Sequence, residues 1–264
     1  MGAAVGLRKN LRISGVDLKR LVRSPRMWAI YKANRNAFFL ESEKSGLPFE
    51  RGKDFPCLWD RLDKAGVAVG QYFFQDLLVA RKIYERKPSV HVDIGSRVDG
   101  FVSHVAVFMK IRVLDIREVH SADPNIEFER CDIMIDDPDR WGSVSSLSCL
   151  HALEHFGLGR YGDSIDFEGH VAGLRNMVKM LKVGGVFYLS VPISSLQRIE
   201  FDAHRVFSIP YLVSLFERFE LSIRDFHYVG DDGFLRQSAS LEGGEAARTF
   251  GLSYGCGIFE LQKN

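Results

Sequence analysis

Between residues 90 and 191 short runs rich in Val, Ile and Leu alternate with longer amphipathic stretches. Buried parallel strands read as near-continuous apolar runs, and each crossover between them needs room for a helix that packs back on the sheet. The alternation therefore restricts the chain to a doubly wound α/β fold. Five parallel strands are expected at 90–94, 112–115, 126–130, 144–149 and 185–191, the last preceded by a helix at 168–182 and a Gly-Gly turn. Residues 219–228 and 257–261 read as two further strands paired to each other across a Gly-rich, polar connection at 230–250. Together they make a mostly parallel, seven-stranded sheet. A helix over 69–86, with Tyr72, Phe73, Leu77, Val79, Ala80, Ile83 and Tyr84 near helical spacing and Pro88 just past its end, leads into it.

The chain divides into a basic helical extension, 1–68, and an α/β domain, 69–264. Residues 1–35 carry Arg8, Lys9, Arg12, Lys19, Arg20, Arg23, Arg26, Lys32 and Arg35 against Asp17 alone. Two readings stand side by side: a solvated helix pair capping the domain, or contact with an anionic membrane surface or a lipid-linked substrate. Residues 42–56, rich in Gly, Pro and charge, read as a loop. Over the whole chain the net charge is +1, which leaves no global field for a polyanion, so nucleic acid is not an expected partner. Cys57, Cys131, Cys149 and Cys256 are scattered without a C-x-x-C pair, as suits free thiols in the cytoplasm. No apolar stretch approaches the roughly 20 residues that span a bilayer, and the N-terminus lacks the apolar core of a signal peptide. Peripheral membrane contact through residues 1–35 remains the membrane option.

The run Val90-His-Val-Asp-Ile-Gly-Ser96 places Asp93 and Gly95 where a buried strand ends, and doubly wound sheets bind ligands outside the carboxyl ends of their strands. Gly95 lets backbone approach a ligand. Asp115 closes the second strand 22 residues after Asp93, a separation that suits a carboxylate accepting hydrogen bonds from ribose hydroxyls. The turn Gly95-Ser-Arg-Val-Asp-Gly100 is not G-x-G-x-x-G, which argues against a dinucleotide pyrophosphate. S-adenosylmethionine has a ribose and an amino-acid tail but no phosphate, and fits better.

The end of the fourth strand carries His151-Ala-Leu-Glu-His155 and then Phe156-Gly-Leu-Gly-Arg-Tyr-Gly-Asp163. H-x-x-E-H matches a zinc-peptidase pattern in which His151 and His155 share one helical face beside Glu154, a geometry that the strand upstream opposes. Alternatively His151 faces the cofactor while Glu154 or His155 faces the substrate, a neutral imidazole being a suitable base at cellular pH. The glycine-rich run reads as a mobile loop over the pocket, with Arg160 and Tyr161 as contacts for an anionic or sugar substrate. His204 and Arg205, beyond the fifth strand, are further candidates on the same rim.

These residues together resemble the class I, Rossmann-like S-adenosylmethionine-dependent methyltransferases. The likeness is carried by Val92-Asp-Ile-Gly-Ser96, Leu114-Asp115, Cys131-Asp132-Ile133, Leu153-Glu154-His155, Leu181-Lys-Val-Gly-Gly185 and His204-Arg-Val-Phe207. A narrower resemblance, over residues 69–229, is to the uncharacterised family called domain of unknown function 268. It rests on Gln71-Tyr-Phe-Phe-Gln-Asp76, His91-Val-Asp-Ile-Gly-Ser96, Glu154-His-Phe-Gly-Leu-Gly-Arg-Tyr-Gly-Asp163 and Ser190-Val-Pro192. The first resemblance implies that Asp115 and its neighbour Ile116 hold the ribose, that Asp93, Gly95 and Ser96 border the methionine tail, and that Asp132 and Ile133 border the adenine. Arg97 and Asp99 stand where many such enzymes have glycine.

The reading that follows is methyl transfer to a hydroxyl of a small molecule or saccharide, with His155 as base and Glu154 orienting it. A non-catalytic relative that binds at a membrane-proximal assembly and a zinc hydrolase are the alternatives. No metal is expected under the first reading.

Overall fold

A computed structural model describes residues 18–45, 47 and 49–264, which form two compact units divided between Val67 and Ala68. Residues 1–17 of the basic arm lie outside the described residues. In the first unit, α1 (Leu18–Ser45) is a 28-residue helix. It runs four residues into the expected loop, and Glu41 and Lys44 pair across its last turn at 3.0 Å. Extended chain follows, then a single 3-10 turn at Asp60–Leu62. No described helix is long and apolar enough to cross a membrane.

The second unit opens with α2 (Gln71–Arg86) and continues through β1 (His91–Ile94), β2 (Ile111–Asp115), β3 (Ile126–Arg130) and β4 (Val144–Leu150). Next come α3 (Gly169–Met180), β5 (Leu181–Ile193), the short strands β6 (Arg198–Glu200) and β7 (His204–Val206), and α4 (Ile209–Arg218). β8 (Leu221–Val229), β9 (Leu235–Arg236) and β10 (Gly255–Lys263) complete it. The main sheet runs β3-β2-β1-β4-β5-β10-β8-β9, and β6 and β7 form a separate hairpin. Strands β1 to β5 are parallel; β10 is antiparallel to both β5 and β8. The seven expected strands are all present, and the two-residue β9 joins them from within the 230–250 connection.

Helices cover both faces of the sheet, and each apolar stripe faces it. On one face Leu78, Val79 and Ile83 of α2 pack with Phe101, Ile111 and Val113. On the other, Leu174 and Met177 of α3 and Leu212, Leu215 and Phe216 of α4 pack with Val92, Ile94 and Phe259. Burying such a side chain contributes about 1.5–3 kcal/mol. α4 starts where Ser208 caps the Tyr211 N–H at 3.4 Å with Pro210 in the first turn. The Gly-Gly pair before the fifth strand is not a turn between elements: pairing with β4 jumps from Val144 opposite Leu181 to Ser146 opposite Val186. The intervening residues bulge out, with Gly184 at φ 75°.

β1 is buried at every position, as a central parallel strand must be. Two of its four side chains are polar, so they need internal partners. His91 finds Ser146 Oγ at 2.7 Å and Ser148 Oγ at 2.9 Å, and burial pushes its pKa down to about 3, which keeps it neutral. Its role is structural.

Candidate functional site

The carboxyl ends of β1, β2 and β4 open on a cavity of about 290 Å³. Gly95, Asp115, Ile116, Asp132, Ile133 and His151, six of the residues expected to hold a cofactor, line it together with His155 and Tyr161. Gly95 has φ 69°, and a Cβ there would lie 3.0 Å from the Cβ of Ala152. Both its conformation and the space around it therefore call for glycine. Asp93 and Ser96 are corrections: neither lines the cavity. The Asp93 carboxylate accepts from the Ser96 N–H at 3.0 Å, from the Ser96 hydroxyl at 2.6 Å and from Ser148. Burial raises its pKa to about 6, against the pull of these donors. This pair shapes the turn from beneath it.

Asp115 sits at the cavity wall, but Arg117 answers its carboxylate. The Arg117 backbone N–H and Nε donate to Oδ1 at 2.8 and 3.0 Å, and Nη2 donates to Oδ2 at 2.7 Å. The guanidinium lies 4.4 Å from the ring centre of Tyr161, a cation–π contact. Across the cavity Asp132 accepts from the Met134 N–H at 3.0 Å, and Asn176 donates to the Ile133 carbonyl at 3.0 Å, fixing that wall.

At the end of β4 the chain turns sharply: His151 has φ 52°, and Leu153–His155 form one 3-10 turn. The zinc-peptidase arrangement needs an α-helix that puts both imidazoles on one face, and this segment does not make one. Among the described residues no three His, Cys, Asp or Glu side chains are gathered to hold a metal ion. Instead His151 Nδ1 donates to Glu154 Oε1 at 2.8 Å, with the ring of Tyr72 4.9 Å away. Burial works against a charge on His151, but Cys256 and the Glu154 carboxylate outweigh it and raise the pKa well above the ordinary value.

His155 turns the other way. Its Nδ1 lies 2.8 Å from the carbonyl of Ala203, and because a carbonyl only accepts, Nδ1 carries the hydrogen. That leaves Nε2 as the basic nitrogen, 3.8 Å from Glu154 Oε1. Burial lowers the His155 pKa; Glu154 and the Ala203 carbonyl oppose this, while Arg160 and His204 add to it. One carboxylate thus stands between an imidazole held charged and an imidazole held neutral. The second oxygen of Glu154 and Nε2 of His151 are both buried without a hydrogen-bond partner.

The glycine-rich run reads from sequence as a mobile loop, yet it is tied down along its length. The Asp163 carboxylate accepts from the N–H groups of Gly157, Gly159 and Tyr161 at 2.8, 3.1 and 3.2 Å. Gly157 has φ 78°, and a Cβ there would collide with the Asp166 carbonyl. Arg205 is a correction for the same reason. Its guanidinium is buried and donates to the carbonyls of Phe156 at 2.6 Å and Phe167 at 3.0 Å, with longer contacts to Glu154 and Asp166 at 3.4 Å. With its donors committed to this loop it does not face a substrate. Arg160 donates to the Ala203 carbonyl at 2.7 Å and lies outside the cavity lining. His204 stands 6.3 Å ring to ring from His155 and 5.5 Å from Tyr254, with Nε2 3.4 Å from Glu200.

The sequence reading missed Tyr72, Arg117, Asp163 and Tyr254. Arg117 has a signal, since an Asp side chain at the end of a strand commonly accepts the backbone N–H two residues on, and that turns residue 117 back toward it. Asp163 has another, an Asp closing a run of glycines.

No curated protein matches the chain. Among solved structures it is similar to the 1,6-didemethyltoxoflavin-N1-methyltransferase of Burkholderia thailandensis, solved with bound 1,6-didemethyltoxoflavin and S-adenosylhomocysteine. Identity is 15%, coverage 89% of this chain and 90% of that one, and the TM-score 0.49. The N-methyltransferase NodS of Bradyrhizobium japonicum, in complex with S-adenosylhomocysteine, is 14% identical over 80% of this chain and 93% of that one, with a TM-score of 0.45. Residues 138–234, the segment that carries the Glu154-to-Asp163 loop and Arg205, match the family model described as Caenorhabditis protein of unknown function, DUF268.

Proposed function

We propose that the protein is an S-adenosylmethionine-dependent methyltransferase acting on a hydroxyl of a small molecule or saccharide. The observation that carries this is the presence of an imidazole, His155, whose Nδ1 is engaged by the Ala203 carbonyl, on the wall of the cavity that Gly95, Asp115, Ile133 and His151 also line. Three features of the cavity suit an adenosyl group: glycine where a Cβ has no room, a buried carboxylate at one end, and the apolar Ile116 and Ile133 along it. Bound there, the cofactor supplies a methyl group already activated by sulfonium charge. Asp115 would hold the ribose hydroxyls, exchanging the donors of Arg117 for them. Asp132 and Ile133 would border the adenine. His155 Nε2 accepts the acceptor's proton, and Glu154 stabilises the imidazolium that results. Tyr161 and His204 flank His155, with Tyr254 against His204, as the acceptor's surroundings.

The test is a calorimetric titration with S-adenosylhomocysteine. Wild type is expected to bind, and Asp115→Ala to bind about 10–100-fold more weakly, the worth of hydrogen bonds to a charged group. Equal affinity in the two proteins removes the ribose assignment. The hold of Arg117 on both oxygens of Asp115 favours a second reading, a non-catalytic relative that keeps the fold and has closed the site. Wild type that binds no S-adenosylhomocysteine selects that reading.

A further inference from the structure

The first unit presents a face that the cofactor chemistry does not use. Val22, Ala29, Ala33 and Leu40 follow one another at spacings of seven, four and seven along α1, so they share one side of the helix. Val22 is 80% exposed and Leu40 57%. The opposite side faces the following extended chain: Met27, Ile30, Tyr31 and Phe39 line a groove together with Leu58. The exposed stripe is therefore a second apolar face and not an exposed part of the unit's interior.

Its borders are basic. From Leu18 to Arg35 the helix has six Lys or Arg and no acid. Arg26 and Lys32, one turn from the stripe residues Val22 and Ala29, make no ion pair among the described residues, whereas Arg35, on the groove side, pairs with Asp54 at 2.7 Å. A second copy of this helix laid on the stripe would bring cations against cations. An anionic bilayer answers both features: headgroups meet the cations, and the acyl boundary takes Val22 and Leu40.

We infer that α1 lies in the plane of an anionic lipid surface, with the Val22–Ala29–Ala33–Leu40 stripe buried at the headgroup boundary and Arg26 and Lys32 against the headgroups. The inference is independent of the cofactor reading, since it uses no residue of the second unit. The test uses the full chain, co-sedimented with phosphatidylcholine vesicles with and without phosphatidylserine. Wild type is expected to prefer the phosphatidylserine vesicles and to be released as salt approaches about 1 M, where charges are screened within roughly 3 Å. The pair of substitutions Arg26→Glu and Lys32→Glu is expected to lower binding by about 25-fold or more, at about fivefold for each cation removed. Val22→Asp is expected to abolish it. All three positions are exposed, so an unchanged melting temperature verifies that the variants fold. Equal binding to both vesicle types, or to neither, overturns the inference. So does sedimentation equilibrium showing a dimer that Val22→Asp dissociates, which would assign the stripe to a second copy.

Discussion

Replacing His155 with Ala is expected to lower methyl transfer by about 10²–10⁴-fold, the usual contribution of a positioned general base, while S-adenosylhomocysteine binds as before. The acceptor for this assay comes from screening hydroxyl compounds and saccharides for release of S-adenosylhomocysteine. The split between turnover and affinity is diagnostic, because Nε2 of His155 is the basic nitrogen by virtue of the Ala203 carbonyl and not of any cofactor contact. Unchanged turnover takes His155 out of the mechanism. The same geometry fixes the direction of the pH response. His155 works deprotonated, and its pKa is lowered by burial, so the rate is expected to fall only below the ordinary imidazole range. Glu154, Arg160, His204 and Tyr161 are the titratable or charged groups facing it. His151→Gln removes the cation that offsets Glu154. The carboxylate then favours protonation of His155, and the acid limb should move to higher pH. A pH–rate profile that stays where it was would mean that the charge of Glu154 is not felt at Nε2.

Arg205→Met is expected to destabilise the domain by on the order of 3 kcal/mol. The substitution leaves the Phe156 and Phe167 carbonyls without a donor in a place where water does not readily replace it, at about 1–3 kcal/mol for each group. For a domain of this size that corresponds to a fall in melting temperature of about 6–12 °C. Differential scanning calorimetry reads it directly, and a shift within about 1 °C of zero would show that the loop closes without the guanidinium. Arg205→Lys should recover part of the loss, because one ammonium reaches fewer carbonyls than a planar fork.

Much of the sheet was legible because parallel strands must be apolar on both faces, and residues 90–94 and 144–149 show that plainly. The cavity at the strand ends was legible in part, because the distance between Asp93 and Asp115 reflects the length of one strand-helix-strand unit. What escaped was set by contacts distant in sequence. Nothing near Arg205 indicates that it will sit on carbonyls 38 and 49 residues upstream, and its position after the fifth strand made it look like a rim residue. Asp93 looked like a ligand because strand ends bind ligands, but Ser148, 55 residues away, completes its set of donors. Strands of two and three residues, such as β6, β7 and β9, are too short for any periodicity to register.

The stack of Arg117 on Tyr161 has a kinetic consequence. Tyr161 in turn stands edge-on to His155 at 5.3 Å, so an ordered series of side chains runs from Asp115 at one end of the cavity to the base at the other. Any sugar that claims the oxygens of Asp115 must dislodge a cation leaning on the ring beside His155. On the proposed reading, a donor held at Asp115 would be felt through Tyr161 beside His155, and the donor would be expected to load before the acceptor.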